Sequence, residues 1–566
     1  MWNVKRYFNR PRSRSTDNCE NNEYLLINAV KSSDVRRIVY VYAFEKSEQK
    51  MINMANDNLL HLAVGTENSI VVKVILLFYE KKWKFSKQRN KQGLRPIDMA
   101  NKEIETIFKQ WDGELDINGE IFKDNPSLQS EMRKKLNGSI LLQRLNQLTN
   151  KSKVLMSIDG GGIRGLSAIQ ILMTLEDELG IPLYNVLDWI AGTSTGAYIS
   201  IMLAQKRTLE EMRKIYLKFK GKVFRGIRPY NTTTLENSLQ EILGNEPFSK
   251  IDKPKLIVTT CMVKNNIPQL KLFRNYKTFK NKNEECNDKF EKDFKNVLTW
   301  EVGRSSSAAP TYFEPYKGLI DGGIMSNNPA LELLTEFFEH NYSKFINENL
   351  STISSESSLE KDEDFLNNKI IKITKNLWPT SYCLKKKNKI GEKGDDMMEN
   401  IACLISIGTG GCKGNIKVPE TNQYLQQSPT TTNNKNNKNN NNNDNNDSNN
   451  INNNNNNNNN EPHKKNIIKK LVDLKGILPL FIRQLTASDG LPVERARAWC
   501  HSIGVPYFRF TSSHTTRLKL DDSNDASIIQ MMWDTEVYLK TEGKGEIARL
   551  INFLKLFCKM RENLES

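Results

Sequence analysis

The chain has 566 residues, enough for several domains and a large apolar core. It carries 82 Lys and Arg against 66 Asp and Glu, a net charge of +16. That balance favours anionic partners (nucleic acid, lipid headgroups or acidic protein) without choosing among them. Eight cysteines are spread along the chain with no CxxC pair, which argues against a zinc site or disulfide framework and fits reduced thiols in an intracellular, cytoplasmic protein.

In chain order, residues 1–20 form a basic tail. Lys5, Arg6, Arg10, Arg12 and Arg14 precede the first acid, Asp17, and no apolar run suggests a secretory leader. The composition fits a mitochondrial transit peptide and an ordinary basic tail alike. Residues 21–110 read as short helices separated by polar turns. NDNLLHLAV (Asn56 to Val64) and NKQGLRPIDMA (Asn90 to Ala100) resemble the ankyrin pattern, with His61 expected to stabilise a turn. Such repeats offer a surface to a protein partner and carry no chemistry. The longest apolar run, Ile70 to Tyr79, is about ten residues and contains Lys73, too short to span a bilayer. Residues 111–152 form a polar connector.

From Lys153 to the end, at residue 566, strand-like runs alternate with helical patterns. VLMSI ends at Ile158, and apolar residues at 166, 169, 172, 175 and 179 mark a helix face. LDWIA (187–191) is short and apolar, AYISIMLA (197–204) continues as a helix, and KLIVTT, CLISIG and PYFRFT are further strands. The alternation predicts an α/β domain with a mainly parallel central sheet. Residues around 350–370 are polar, and residues 433–460 are almost all Asn, an insertion expected to stay disordered. KKNIIKKLVDLKGILPLFIRQL (464–485) is basic and partly amphipathic. It is a candidate for a membrane surface or for calmodulin, and equally a packed helix with a solvated edge.

Three motifs carry chemistry. DGGGIRG (Asp159 to Gly165) follows a strand and opens a helix, so its backbone N–H groups can converge on an anion or oxyanion. GTSTG (Gly192 to Gly196) has the GxSxG form of a nucleophile elbow, with Ser194 on a sharp strand-to-helix turn flanked by Thr193 and Thr195. DGG (Asp321, Gly322, Gly323) follows the short run GLI and alone reads as a common turn. A serine nucleophile needs a base. Of five histidines, only His340, His501 and His514 lie downstream of Ser194 in sequence that folds, and none has a Gly-rich strand-end setting. An Asp is a weak base at its ordinary pKa, and partial desolvation would make it a better one.

Together the three motifs resemble the patatin-like phospholipases, strongly over Lys153 to Asn328, with WEVGRSSSAAPTYFEP (300–315) and GGIMSNNPA (322–330) adding to the match. Ankyrin-like repeats ahead of such a domain, and ERARAWCHSIGVPYFRF (494–510) and MMWDTEVYL (531–539) after it, resemble the calcium-independent phospholipase A2 subgroup. The resemblance implies a Ser–Asp dyad of Ser194 and Asp321. It implies an oxyanion hole on the loop that carries Gly160, Gly161, Gly162, Arg164 and Gly165. It also implies an acyl-enzyme, fatty-acid release from phospholipid at a membrane surface, and no metal or cofactor. Arg164 either positions that loop or meets a phosphate headgroup.

Other readings are weaker. Gly160, Gly162 and Gly165 also satisfy the dinucleotide fingerprint, which leaves GTSTG and DGG unexplained. A non-catalytic scaffold conflicts with the presence of both nucleophile and base. A neutral-lipid lipase or lysophospholipase would share every motif. No nucleic-acid partner is expected, a homo-oligomer remains open, and peripheral membrane association follows from a bilayer substrate.

Overall fold

The computed structural model describes residues 25–44, 56–124, 126–264, 267–277, 296–356, 400–412 and 489–565. The basic tail, the Asn-rich tract, segment 464–485 and most of the stretch around 350–370 lie outside the described residues.

A seven-stranded sheet organises the domain. Its strands are β1 (Lys153–Ile158), β2 (Trp189–Gly192), β3 (Lys255–Lys264), β4 (Ile267–Arg274), β5 (Leu319–Asp321), β6 (Ile401–Ile407) and β8 (Tyr507–Phe510). β3, β2, β1, β6 and β8 lie side by side in that order, all parallel. β4 and β5 are antiparallel to β3. Two short segments, β7 (Gly411–Cys412) and β9 (Ser513–His514), form a separate pair. The mainly parallel α/β architecture is the expected one. β4 was not foreseen: its sequence, IPQLKLFR, is largely exposed at its outer end and follows an Asn-Asn break, so it lacks the apolar run that marks the buried strands.

Successive residues of a strand face opposite sides. On one side Leu155, Trp189, Ile257 and Leu404 pack against the helices Ala330–Glu356 and Leu491–Ser502 in a continuous apolar cluster. On the other, helix Thr195–Ala204 lies over β1, β2 and β3, with helix Gly165–Leu179 against it. All its residues but Tyr198 are buried, which explains why its sequence is apolar on every face.

β3 is an interior strand with two edges. β4 occupies one edge along Ile257–Lys264. β2 takes the first part of the other, ending with Gly192 opposite Val258, and β5 continues that edge with Asp321 opposite Thr260. Asp321 thus stands two residues beyond the end of β2 along β3, about 7 Å. Ser194 is two residues beyond the same end.

The N-terminal helices pack directly on this domain. Asn58 caps helix Leu59–Gly65, and His61 bridges the Asn58 N–H (3.2 Å) and the Leu94 carbonyl (2.9 Å), tying one turn to the next. Arg213, buried on helix Leu209–Val223, donates to Tyr42 Oη (2.8 Å) and reaches Gln170, which donates to Glu536 (2.6 Å). Trp533 stacks on Trp111 at 5.9 Å and donates to Gln110 (3.0 Å). Among the described residues no helix is long and apolar enough to cross a membrane.

Trp533 is the largest fully buried side chain at this junction. Trp533→Ala should cost about 3–5 kcal/mol of stability, read by denaturant unfolding of the full chain. Trp533→Phe keeps most of the packing and loses one hydrogen bond, so it should cost about 1–2 kcal/mol.

Candidate active site

Ser194 ends the turn between β2 and helix Thr195–Ala204 with φ 53° and ψ −116°, a conformation L-residues rarely adopt. Neighbouring structure holds it there. Its N–H donates to Ser306 Oγ (2.9 Å), and Gly196 lies so close beneath β1 that a Cβ would run into the Ile158 carbonyl. Thr193 Oγ1 is buried between Thr259 Oγ1 (2.7 Å) and the Ser326 carbonyl (2.8 Å). Thr195 Oγ1 meets Tyr216 Oη at 2.5 Å.

Asp321 ends β5. Its N–H donates to the Ala308 carbonyl (3.0 Å) and the following Gly322 N–H to the Ser306 carbonyl (3.3 Å). Helix Thr299–Ser306 and its C-terminal turn therefore grip both Ser194 and Asp321. The Asp321 carboxyl is 6% exposed and accepts from Gly323 N–H (2.7 Å) and from the Ser194 hydroxyl. No cation pairs with it among the described residues. Burial pushes its pKa up from 3.8 to about 6, against the pull of those two hydrogen bonds.

The Gly-rich loop runs beside the serine: a Cβ at Gly160 would stand 3.3 Å from Ser194 Cβ. Its groups do not all point at the nucleophile. The Gly160 N–H donates to the Asn327 carbonyl (3.1 Å), and its carbonyl accepts from Thr409 Oγ1 (2.9 Å). The Gly165 N–H is used within the helix start. Arg164 is buried and turned away, donating to the Gly410 carbonyl at 2.8 Å. Burial lowers its pKa to about 10, with Asp159 opposing the shift. Of the five loop residues expected to form an oxyanion hole, Gly160, Arg164 and Gly165 thus spend their donors on holding the loop. Gly161 and Gly162 keep backbone N–H groups with no backbone partner among the described residues. Gly162 has φ +58° and passes against the Leu520 carbonyl, which excludes a side chain there.

Asp159, at the head of the loop, is fully buried and holds Arg509 in a two-pronged ion pair (2.6 and 3.1 Å), with Asn328 Nδ2 at 2.8 Å. Burial pushes its carboxyl up to about 6 and Arg509 pulls it back. Burial also opposes the Arg509 charge, but Asp159 overrides it and keeps the guanidinium protonated. None of the described histidines enters the site. His514 faces Ser512 (3.0 Å) and Ser167 (3.3 Å), and burial, reinforced by Arg164, lowers its pKa to about 3. His340 meets Lys255 at 2.6 Å, and His501 lies on helix Leu491–Ser502. Ser306, Asn327, Thr409 and Arg509 had no role assigned from sequence. Asn327, Ser306 and Arg509 sit inside the longer matching stretches. Thr409 follows a strand in GTGG (408–411), an echo of GTSTG that could have marked it.

A strained serine on a strand-to-helix turn, a buried carboxyl within its reach and free backbone N–H groups beside it can support acyl transfer. Residues 156–334 match the family model described as patatin-like phospholipase. That stretch is a patatin-like domain. The chain is 28% identical over 408 residues to the 85/88 kDa calcium-independent phospholipase A2 of Mus musculus, covering 71% of this chain and 40% of that one. It is 30% identical over 408 residues to an intracellular phospholipase A2 of Caenorhabditis elegans, covering 72% of this chain and 29% of that one. Over 202 residues, 31% of this chain and 25% of the other, it is 32% identical to the human calcium-independent phospholipase A2-gamma. The chain thus spans less than half the length of these relatives. Each of these three relatives is named as a phospholipase A2.

Two stability predictions follow from this patatin-like site. Arg509→Met strands the buried Asp159 carboxylate and should cost about 3–5 kcal/mol. Adding Asp159→Asn to that variant should recover a large part, a coupling that denaturant unfolding of the two single variants and the double variant measures. Asp321 behaves oppositely. Its folded-state pKa of about 6 lies above 3.8, so its stabilising contribution is complete below about pH 4 and lost as pH rises through 6. Asp321→Asn should therefore stabilise the protein by about 2–3 kcal/mol near pH 7.5, and the gain should fade towards pH 4.

Proposed function

We propose that the protein is a calcium-independent phospholipase A2-type acyl hydrolase that releases fatty acid and lysophospholipid through a Ser194–Asp321 dyad. The observation that carries this reading is the buried Asp321 carboxyl, unpaired by any described cation and within reach of a serine held in an elbow. At a pKa near 6 it is largely ionised at neutral pH yet basic enough to accept a proton.

In this mechanism Ser194 Oγ attacks the ester carbonyl as Asp321 takes its proton. The N–H groups of Gly161 and Gly162, with that of Thr195, receive the oxyanion of the tetrahedral intermediate. Asp321 returns the proton to the leaving alcohol, then takes one from the water that attacks the acyl-enzyme and passes it to Ser194 Oγ as the fatty acid leaves. Asp159, Arg164, Thr409 and Asn327 position the loop without touching the reacting atoms. Met325, 46% exposed and four residues after Asp321, and Val263 and Ile267, exposed where β3 passes into β4, place apolar side chains on the elements around the dyad. They support access to a substrate held in a bilayer and peripheral contact with a phospholipid surface. The relatives named as calcium-independent phospholipases A2 support the same substrate class.

Fatty-acid release from phosphatidylcholine vesicles, with EGTA present, tests the reading. Ser194→Ala and Asp321→Asn should each lose about 10⁴-fold or more in kcat, and the double variant little beyond either, because the two act as one unit. Release by the Ser194 variant at the wild-type rate would sink the mechanism. Release from lysophospholipid or neutral lipid alone would keep the dyad and replace the substrate. The proton-accepting form of Asp321 exists above its pKa, so kcat/KM should rise with pH through about 6 and level off above it.

A further inference from the structure

Away from the dyad, a cavity of about 550 Å³ opens between helix Val35–Phe44 of the N-terminal region and helix Leu209–Val223 of the sheet domain. Five cationic side chains line it, Arg36, Lys218, Lys220, Lys222 and Arg225, against one carboxylate, Asp525. Lys220 occupies that carboxylate at 2.6 Å, and Lys222 pairs with Glu241 at 3.5 Å. Arg36, Lys218 and Arg225 are left without a carboxylate partner among the described residues. Like charges gathered at one cavity repel one another, and burial, with Lys214 outside the cavity adding to it and Glu241 and Glu211 opposing, lowers the Lys218 pKa. An anion in the cavity removes that repulsion and satisfies several donors at once.

The rest of the wall is not polar. Val39, Leu217 and Val223 supply an apolar floor, and Tyr40 stacks on Phe44 at 4.6 Å along one side, with the Lys218 ammonium 5.0 Å from the Phe44 ring. The volume matches that of a small-molecule site. Charge and shape together fit an organic anion with a phosphate group and a compact body. We propose that this cavity binds a phosphate-bearing anion at the junction of the two regions, separately from the ester substrate.

The position gives such a ligand a mechanical connection to the site. Lys220 also donates to the Ser523 carbonyl (3.1 Å), and three residues earlier the Leu520 carbonyl accepts from Ile163 N–H (2.8 Å) in the Gly-rich loop. Arg225 lies two residues before Ile227, which is 90% exposed, so a large apolar side chain open to solvent follows this cation closely in the chain, as suits a lipid headgroup. A soluble phosphate compound would use the same cations, and the experiment separates the two sources.

Binding of inorganic pyrophosphate to the full chain by calorimetry forms one arm. Co-sedimentation with phosphatidylcholine vesicles, with and without phosphatidylinositol 4-phosphate, forms the other. The cavity variant Arg36→Gln/Lys218→Gln/Arg225→Gln is compared with Lys31→Gln/Lys123→Gln/Lys559→Gln, which removes the same charge from exposed positions elsewhere, and thermal unfolding checks that both fold. Arg36→Gln alone, at an exposed position, serves if the triple variant does not. Saturable pyrophosphate binding, or preference for the phosphoinositide vesicles, should fall about tenfold or more in the cavity variant and persist in the control. Loss in the vesicle arm assigns the site to a headgroup, and loss in the pyrophosphate arm alone assigns it to a soluble anion. Binding in neither arm, or equal loss in both variants, overturns the proposal. Neither arm measures ester hydrolysis, so the result stands apart from the fate of the proposed dyad.

Discussion

Everything at the candidate site depends on the division of one edge of β3 between two strands. β2 uses the edge as far as Val258, and β5 takes it up again at Thr260. A hydrogen-bonded ladder leaves little freedom in position, so the end of each strand is fixed relative to the other by the backbone alone. Asp321 then stands in the ladder itself and Ser194 two residues beyond it on the elbow, so strand ends and not long loops hold both groups. The turn after helix Thr299–Ser306 locks what the ladder places. One serine there, Ser306, accepts from the elbow through its side chain and from the Asp321 turn through its carbonyl.

The N-terminal helices belong mechanically to the same body. A loosely tethered repeat would meet its neighbour through solvated surface, but here the contact contains buried Arg213, Gln170 and Glu536 in one chain of hydrogen bonds. Such groups are costly to bury unless every partner is present, so the junction is specific as well as tight. Helix Val35–Phe44 packs on helix Leu209–Val223, whose Tyr216 touches Thr195 at the elbow.

How much of this was legible in the sequence follows from what is local. The strand run ending at Ile158, the helix face from 166 to 179 and the GTSTG turn each occupy a few consecutive residues, and periodicity or glycine spacing reveals them. Ser194 was singled out because it sits in such a turn, whereas DGG alone reads as a common turn and Asp321 was singled out by the family resemblance. Arg509 was not, because its role exists only opposite Asp159, some 350 residues away along the chain. The same limit applies to Gly160. Its glycine neighbours suggested an oxyanion donor, yet Asn327, brought in by the short helix after Asp321, takes that N–H. Net charge was equally uninformative about place. The +16 of the whole chain says nothing of where Arg36, Lys218 and Arg225 converge.

In the proposed reaction the two buried carboxyls of the site have different tasks, and Asp321 stands where an imidazole would. Asp159 and Asp321 are both withdrawn from water and both pushed towards about 6. Asp159 has a guanidinium and an amide locked onto it, so its proton-accepting lone pairs are spent and its charge serves to anchor the loop. Asp321 has one backbone N–H and the serine hydroxyl, leaving its affinity for a proton directed at the one group that can supply it. A free histidine titrates near 6.5. Desolvation, opposed by two hydrogen bonds, brings Asp321 to about 6, so a carboxylate in this pocket has nearly the basicity that a serine hydrolase elsewhere draws from an imidazole. The cost falls on stability, because a charge is buried without a cation. A cation placed beside Asp321 would relieve that cost and, by returning the carboxyl to its ordinary range, remove the basicity the proposed reaction needs.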